Sequence, residues 1–136
     1  MKKPSEVRLP TEKQWAQAAG GDEDKKRYPW DKGAATDKTE EVVQRANISE
    51  SGLNRTTPVW MYPLGASTSG VMELAGNVWE WQANYYSGSH SNLGLRGGSW
   101  IDSADGARVA FRVNYRPLNW YISIGFRVVA SFLPSG

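Results

Sequence analysis

The stretch Arg96 to Val129, RGGSWIDSADGARVAFRVNYRPLNWYISIGFRVV, decides how this chain is read. It splits into a frame and its interruptions. The frame is Arg96-Gly97-Gly98-Ser99-Trp100, Ala107-Arg108-Val109-Ala110, Arg112, Arg116-Pro117 and Ile124-Gly125-Phe126-Arg127-Val128-Val129. Between these pieces lie Ile101, Asp102, Ser103, Asp105, Gly106, Phe111, Val113, Asn114, Tyr115, Leu118, Asn119, Trp120, Tyr121, Ile122 and Ser123. Large apolar side chains here alternate with Asn, Ser, Arg and Pro, which mark turns and exposed loops. Aromatics carried on a rigid loop scaffold point to a recognition surface. Phe111, Tyr115, Trp120 and Tyr121 are therefore expected to be solvent-accessible anchors on one face. Arg96, Arg108, Arg112 and Arg127 are expected to turn inward and make internal hydrogen bonds.

Outward from this stretch, the composition sets bounds. A chain of 136 residues with 14 Gly and 7 Trp reads as one domain, residues 1–136. It needs many turns and a core of bulky rings whose N–H groups require partners. That argues for a loop-rich α+β fold over a helical bundle. The net charge of +2 gives no electrostatic case for nucleic acid. With no cysteine, disulfides, zinc–thiolate sites and thiol catalysis are excluded. The start, MKKPSEVRLP, lacks the apolar core of a signal peptide, and no apolar run approaches membrane-span length, so no membrane insertion is expected.

RLPTEKQWAQAAGG, residues 8–21, carries the clearest helix signal. Thr11 caps, Gln14 completes a capping box, and Glu12 sits where the helix dipole favours an anion. Trp15, Ala18 and Ala19 share a face predicted to meet the core, and Gly20-Gly21 ends the helix. Residues 22–27 are a charge run read as a solvated loop, and 31–44 shows no sustained period and is expected to be the most mobile part. Residues 57–63 read as an extended apolar segment. Strands are predicted over 76–82, 94–100 and 124–132, forming a small, twisted antiparallel sheet beside one or two helices, with long loops.

RLPTEKQWAQAAGG, YPW, RANI, TTPV, GVMELAGNVWEW, LRGGSW, ARVAFR and IGFRVV occur in that order. Together they resemble the formylglycine-generating enzyme family, also called the sulfatase-modifying-factor family, with its C-type-lectin-type fold. The resemblance runs from Arg8 to Val129. The family's usual N-terminal portion has no counterpart, which makes the chain either a minimal version or a fragment. The true formylglycine generators use a copper-binding cysteine pair that would fall just after Trp100. Here that region is Ile101 to Arg108, without a thiolate to bind metal or carry electrons. Related iron enzymes need a histidine triad, and His90 is the single histidine. No nucleophile elbow and no phosphate loop occurs, and Gly94 to Gly98 reads as tight strand packing. The chain is therefore not expected to be an enzyme. The resemblance also implies a possible calcium site, with Glu73 and Glu80 as carboxylates and Gly76 and Val78 as carbonyl donors. A second family calcium site has matches at Asn47 and Ile48, but Ser51 stands where a carboxylate would be needed.

Variable proteins of diversity-generating retroelements share this fold. In them, adenines of a template are randomised as it is copied into the coding region. Asparagine codons altered this way can encode Phe, Ser, Tyr, Cys, Leu, Pro, His, Arg, Ile, Thr, Asn, Val, Ala, Asp or Gly, but not Lys, Glu, Gln, Met or Trp. The interrupting residues all fall in the permitted set except Trp120, which an arginine codon yields by one adenine change. From Arg96 to the C-terminus there is no Lys and no Glu. The expected function is thus a non-enzymatic domain displaying a sequence-variable binding face to a protein or glycan, on a virus tail or cell surface. The alternative is a fixed-sequence accessory or substrate-docking domain of a larger protein of this family.

Overall fold

The computed structural model describes residues 4–21, 26–88 and 90–132. Most of the 22–27 charge run lies outside them. In chain order the regular elements are β1 (Glu6–Arg8), α1 (Glu12–Ala18), α2 (Thr39–Val42), β2 (Trp79–Tyr85), β3 (Leu93–Arg96), β4 (Arg112–Tyr115), β5 (Ile124–Gly125) and β6 (Val129–Ser131). Short 3-10 turns occupy Ser49–Ser51, Pro63–Gly65 and Ala104–Ala107.

The capping box forms as read. The Thr11 hydroxyl accepts from the Gln14 N–H, and Gln14 Oε1 accepts from the Thr11 N–H at 3.0 Å. These contacts satisfy helix-end donors that would otherwise be orphaned. Trp15 and Ala19 are fully buried and pack with Leu74 and Val109. A second cluster gathers Tyr28, Trp30, Val42, Ala46, Ile48, Ala75, Ala104 and Ala107.

The main sheet runs β4-β3-β2-β5. The β2–β3 and β3–β4 pairs are antiparallel, whereas β5 lies parallel to β2, pairing Trp79 with Ile124 and Glu80 with Gly125. The sheet is therefore mixed, where an antiparallel one was expected. Strand boundaries also move. The segment at 76–82 starts at Trp79, because Gly76 and Asn77 take positive φ and turn the chain before the strand begins. The segment at 124–132 divides between sheets: β6 leaves the main sheet to pair antiparallel with β1, Ser131 opposite Glu6. Residues 31–44 contain α2, whose Val42 is buried in the second cluster, so this segment is anchored at its end. Four helical residues are too few to show a 3.6-residue period.

Two buried carboxylates tie distant parts of this frame together. Glu12 Oε1 accepts from Arg96 Nε and from Arg112 Nε, both at 2.8 Å, and Glu12 Oε2 from Asn84 Nδ2 at 2.9 Å. Glu80 Oε2 accepts from Trp15 Nε1 and Arg127 Nε, both at 2.7 Å, and its Oε1 from Arg127 Nη2 at 2.6 Å. Burial alone would raise the Glu12 pKa. Hydrogen bonds from Arg112, Asn84 and Arg96 outweigh it and hold the carboxyl below its ordinary range.

Candidate binding face

The segment from Ile101 to Ser123 is carried by that frame. Arg96, on β3, also donates from Nη1 to the Val109 carbonyl at 2.9 Å, fixing the chain just before Phe111. Arg112 lies with its guanidinium 3.8 Å from the Tyr86 ring centre. Arg127 reaches the Met72 and Glu73 carbonyls at 3.0 and 2.9 Å as well as Glu80. Arg108 departs from the inward expectation: it pairs at 2.5 Å with exposed Asp105, three residues away. Short range explains this, since Asp105 lies in the 104–107 3-10 turn that Arg108 caps.

Of the residues singled out between the frame pieces, Gly106 alone is buried, against the expectation: it lies inside the 104–107 turn, where a Cβ would stand 3.0 Å from the Asp102 side chain. Ile101, Ser103, Asp105, Phe111, Leu118, Trp120, Tyr121 and Ile122 are exposed. Asp102, Val113, Asn114, Tyr115, Asn119 and Ser123 are half-buried. Leu118, Trp120 and Ile122 retain 92%, 84% and 73% of their full exposure. Burying a side chain of this kind is worth about 1.5–3 kcal/mol, so the unfilled driving force here is substantial.

Ring contacts bring some of these residues together. Tyr115 and Tyr121 have centroids 5.2 Å apart, and Phe111 lies 6.1 Å from the Trp79 ring at a tilt. The Ser123 carbonyl accepts from the Trp79 N–H at 2.8 Å, and the Tyr121 carbonyl from the Ile124 N–H at 3.1 Å, pinning the end of the loop.

Asp102 must be set apart as a side chain spent within the frame. Its Oδ2 accepts from Trp79 Nε1 at 2.8 Å and from the Ser99 hydroxyl, while its carbonyl accepts from the Ser49 N–H. A buried indole N–H needs such an acceptor, and no local pattern shows which carboxylate supplies it. Replacing Asp102 by Ala is expected to cost about 1–3 kcal/mol. Leu118→Ser and Ile122→Ser should each stay within about 0.5 kcal/mol. Urea denaturation of the three variants checks this contrast.

Three of the four residues expected to hold calcium share one cavity. Glu73, Val78 and Glu80 line a cavity of about 420 Å³, with Val59, Trp60, Asn77, Phe126 and Arg127 among its walls. Gly76 is buried but is not among its walls, and donates to the Gly97 carbonyl at 2.7 Å. The two carboxylates differ. Both Glu80 oxygens are engaged by Arg127 and Trp15, whereas neither Glu73 oxygen has a hydrogen-bond partner, though both are buried. Burial pushes the Glu73 pKa up to about 7, with Arg127 opposing and Glu80 adding to the effect. At the second family position, Asn47 Nδ2 is tied to the Arg55 carbonyl at 2.8 Å, and Ser51 donates to the Ala46 carbonyl at 3.1 Å. Among the described residues no group of three or more His, Cys, Asp and Glu side chains gathers for a metal. His90 packs edge-on against Tyr85 at 4.9 Å.

Exposed apolar residues outside the anticipated set include Val59, Trp60, Met61 and Leu64, together with Phe126 and Val128 of the frame. The 57–63 segment is not extended as expected: Val59 and Trp60 form a turn closed by the Met61 N–H on the Pro58 carbonyl at 3.0 Å, and a 3-10 turn follows at Pro63–Gly65, so no periodicity shows the exposure of these residues.

A small α+β domain with a curled mixed sheet, pinned arginines and an apolar loop face belongs to the C-type-lectin-like class. Residues 1–132 match the sulfatase-modifying factor enzyme 1-like domain, and the chain belongs to that family. It is 36% identical over 129 residues to inactive C-alpha-formylglycine-generating enzyme 2 of Bos taurus, a match spanning 88% of this chain and 42% of the bovine protein. It is 33% identical over 146 residues to hercynine oxygenase of Mycolicibacterium thermoresistibile, covering 90% of this chain and 31% of that enzyme. Among solved structures, Treponema denticola variable protein 1 superposes with a TM-score of 0.74 at 32% identity, covering 90% of this chain and 46% of that one. The chain thus spans less than half the length of these relatives. Enzymes and a protein described as inactive both occur among them, and this chain has no cysteine. No helix among the described residues is long and apolar enough to cross a membrane.

Proposed function

We propose that this chain is a non-enzymatic ligand-binding domain whose 101–123 surface is a sequence-variable binding face, of the kind carried by retroelement-diversified variable proteins. One observation carries the reading: Gly106 apart, none of the interrupting residues is buried, while the arginines at 96, 112 and 127 are spent on internal carboxylates. Stability and display are thereby assigned to different side chains. Substitution at exposed positions changes stability by a few tenths of a kcal/mol, so the surface tolerates diversification. Tyr and Trp supply contact area at low entropic cost, as in paratopes. The partner is a protein or glycan, and display on a virus tail or cell surface is the setting that suits such a face.

The genomic locus tests this directly. A neighbouring reverse transcriptase and a near-copy of the 101–123 coding segment, differing at adenines, are expected. A complete locus with neither would defeat the reading in favour of a fixed accessory domain.

Calcium is part of the same proposal. Bound at Glu73, it would crosslink the 72–80 segment without supplying chemistry to the face. Calcium should raise the melting temperature of the purified domain over a chelator control, and Glu73→Gln should abolish the rise. A melting temperature indifferent to calcium would remove the ion.

A further inference from the structure

A second cavity, of about 480 Å³, shares no residue with the 101–123 face and is independent of the reading above. Its walls include Trp30, Lys32, Arg45, Leu64, Ser67 and Thr68. The charged side chains lining it are positive. Lys26 adds a further cation at the rim, where its Nζ donates to Thr68 Oγ1 at 2.8 Å.

Among the described residues, Lys26, Lys32 and Arg45 have no carboxylate partner. The neighbouring acid, Asp31, is buried and committed elsewhere. Its Oδ2 accepts from the Arg27 and Tyr28 N–H groups at 3.2 and 3.0 Å, and its Oδ1 from the Thr36 N–H and hydroxyl at 3.2 and 2.7 Å.

Arg45 is held in place before any ligand arrives. Its guanidinium carbon lies 5.8 Å from the Trp30 ring centre, and Trp30 is itself tied through Nε1 to Thr36 Oγ1 at 2.9 Å. The backbone at Arg45 presses against Gly65 so closely that a Cβ there would fall 1.9 Å from the Arg45 carbonyl oxygen. The Arg45 Nε is nevertheless buried and has no hydrogen-bond partner. Leaving a buried charged donor unpaired carries its full desolvation penalty. A planar guanidinium fork with an unspent N–H matches an oxyanion with two acceptor oxygens.

We propose that this cavity binds a compact oxyanion, a phosphate or sulfate group, either free or as an ester on a larger ligand. Arg45 supplies the fork, Lys32 and Lys26 supply charge, and the Thr68 hydroxyl donates its hydrogen. Several cations around one small cavity favour a doubly charged tetrahedral anion over a single carboxylate. A volume of this size lies within the range of small-ligand sites and leaves room for a sugar ring beside the anion.

Isothermal titration of the purified chain with inorganic phosphate and with sulfate, against chloride at equal ionic strength, tests the site. Saturable binding of the oxyanions above chloride is expected. Arg45→Gln should weaken it about tenfold or more, and Lys32→Gln about threefold, in line with the loss of a charge-assisted pair and of a more solvated charge. Should Arg45→Gln fail to fold, Arg45→Lys keeps the charge, removes the fork and should still weaken binding. Glucose 6-phosphate, with glucose as control, separates the sources: tighter binding than phosphate assigns the group to an ester ligand, and equal binding to the free anion. No saturable signal above chloride overturns the site, as does binding unchanged in both Lys32→Gln and Arg45→Lys.

Discussion

Glu12→Ala is expected to destabilise the protein by about 3–5 kcal/mol, the cost of removing one partner from a buried ion pair. A domain of this size holds about 5–15 kcal/mol in total, so this variant should be largely unfolded at moderate urea. The reason is placement. Glu12 opens α1, yet its carboxylate is the acceptor for Arg96, 84 residues away, and Arg112, 100 residues away. Without it, buried Arg96 loses its carboxylate while keeping the Val109 carbonyl, and Arg112 loses its carboxylate while keeping the Tyr86 carbonyl. Both arginines stand in the strands that support the binding face.

The same network sets a pH dependence. The folded Glu12 pKa lies below its unfolded value. Its contribution is therefore present above the unfolded pKa and is lost as pH falls through the folded one. Urea denaturation of wild type should show this loss in the acid range, and Glu12→Gln should flatten that part of the profile while lowering stability at neutral pH. A Glu12→Gln variant as stable as wild type at pH 7 would contradict the assignment.

Gly76→Ala is expected to cost about 2–5 kcal/mol, through two effects acting together. Gly76 has φ +74°, where an L side chain adds about 1–2 kcal/mol. Its Cβ would stand 2.3 Å from the Asn47 carbonyl oxygen and 2.9 Å from the carbonyl carbon, and overpacking of this sort adds about 1–3 kcal/mol. Neither chain can retreat easily. Asn47 and Gly76 form a parallel bridge, the Asn77 N–H donates to the Asn47 carbonyl at 2.8 Å, and the Trp100 N–H to the Asn77 carbonyl at 3.0 Å. Differential scanning calorimetry should show a clear drop in melting temperature, and amide exchange at Asn77 and Trp100 should accelerate. A melting temperature within about 2 °C of wild type, less than 1 kcal/mol produces in such a domain, would show that the backbone yields after all.

Parts of this molecule were readable before any coordinates. The Thr11–Gln14 box and the Trp15 stripe depend on residues within one helical turn, and α1 formed with the cap in place. The inward role of Arg96, Arg112 and Arg127 was legible from arginines set among Gly and Trp in a frame, but their acceptors were not. The parallel pairing of β5 escaped notice because strands of two residues carry no alternation. Asp102 was grouped with the surface residues since its neighbours Ile101 and Ser103 are exposed, and only the arrival of the Trp79 indole, 23 positions earlier, reassigns it. The cationic cavity gave no sequence signal at all, its walls coming from the separated segments 30–32, 45 and 63–70.

The sequence by itself determined the helix and its caps, the absence of thiol chemistry, and the restricted residue types between the frame pieces. These depend on near neighbours or on composition. The tertiary structure decided which arginine meets which carboxylate, that Asp102 serves the frame while Leu118, Trp120 and Ile122 face water, and that Glu73 and Arg45 are left with unspent polar atoms. Those outcomes depend on which distant segments close on one another, and a hydrogen bond across a hundred residues has no counterpart in local pattern.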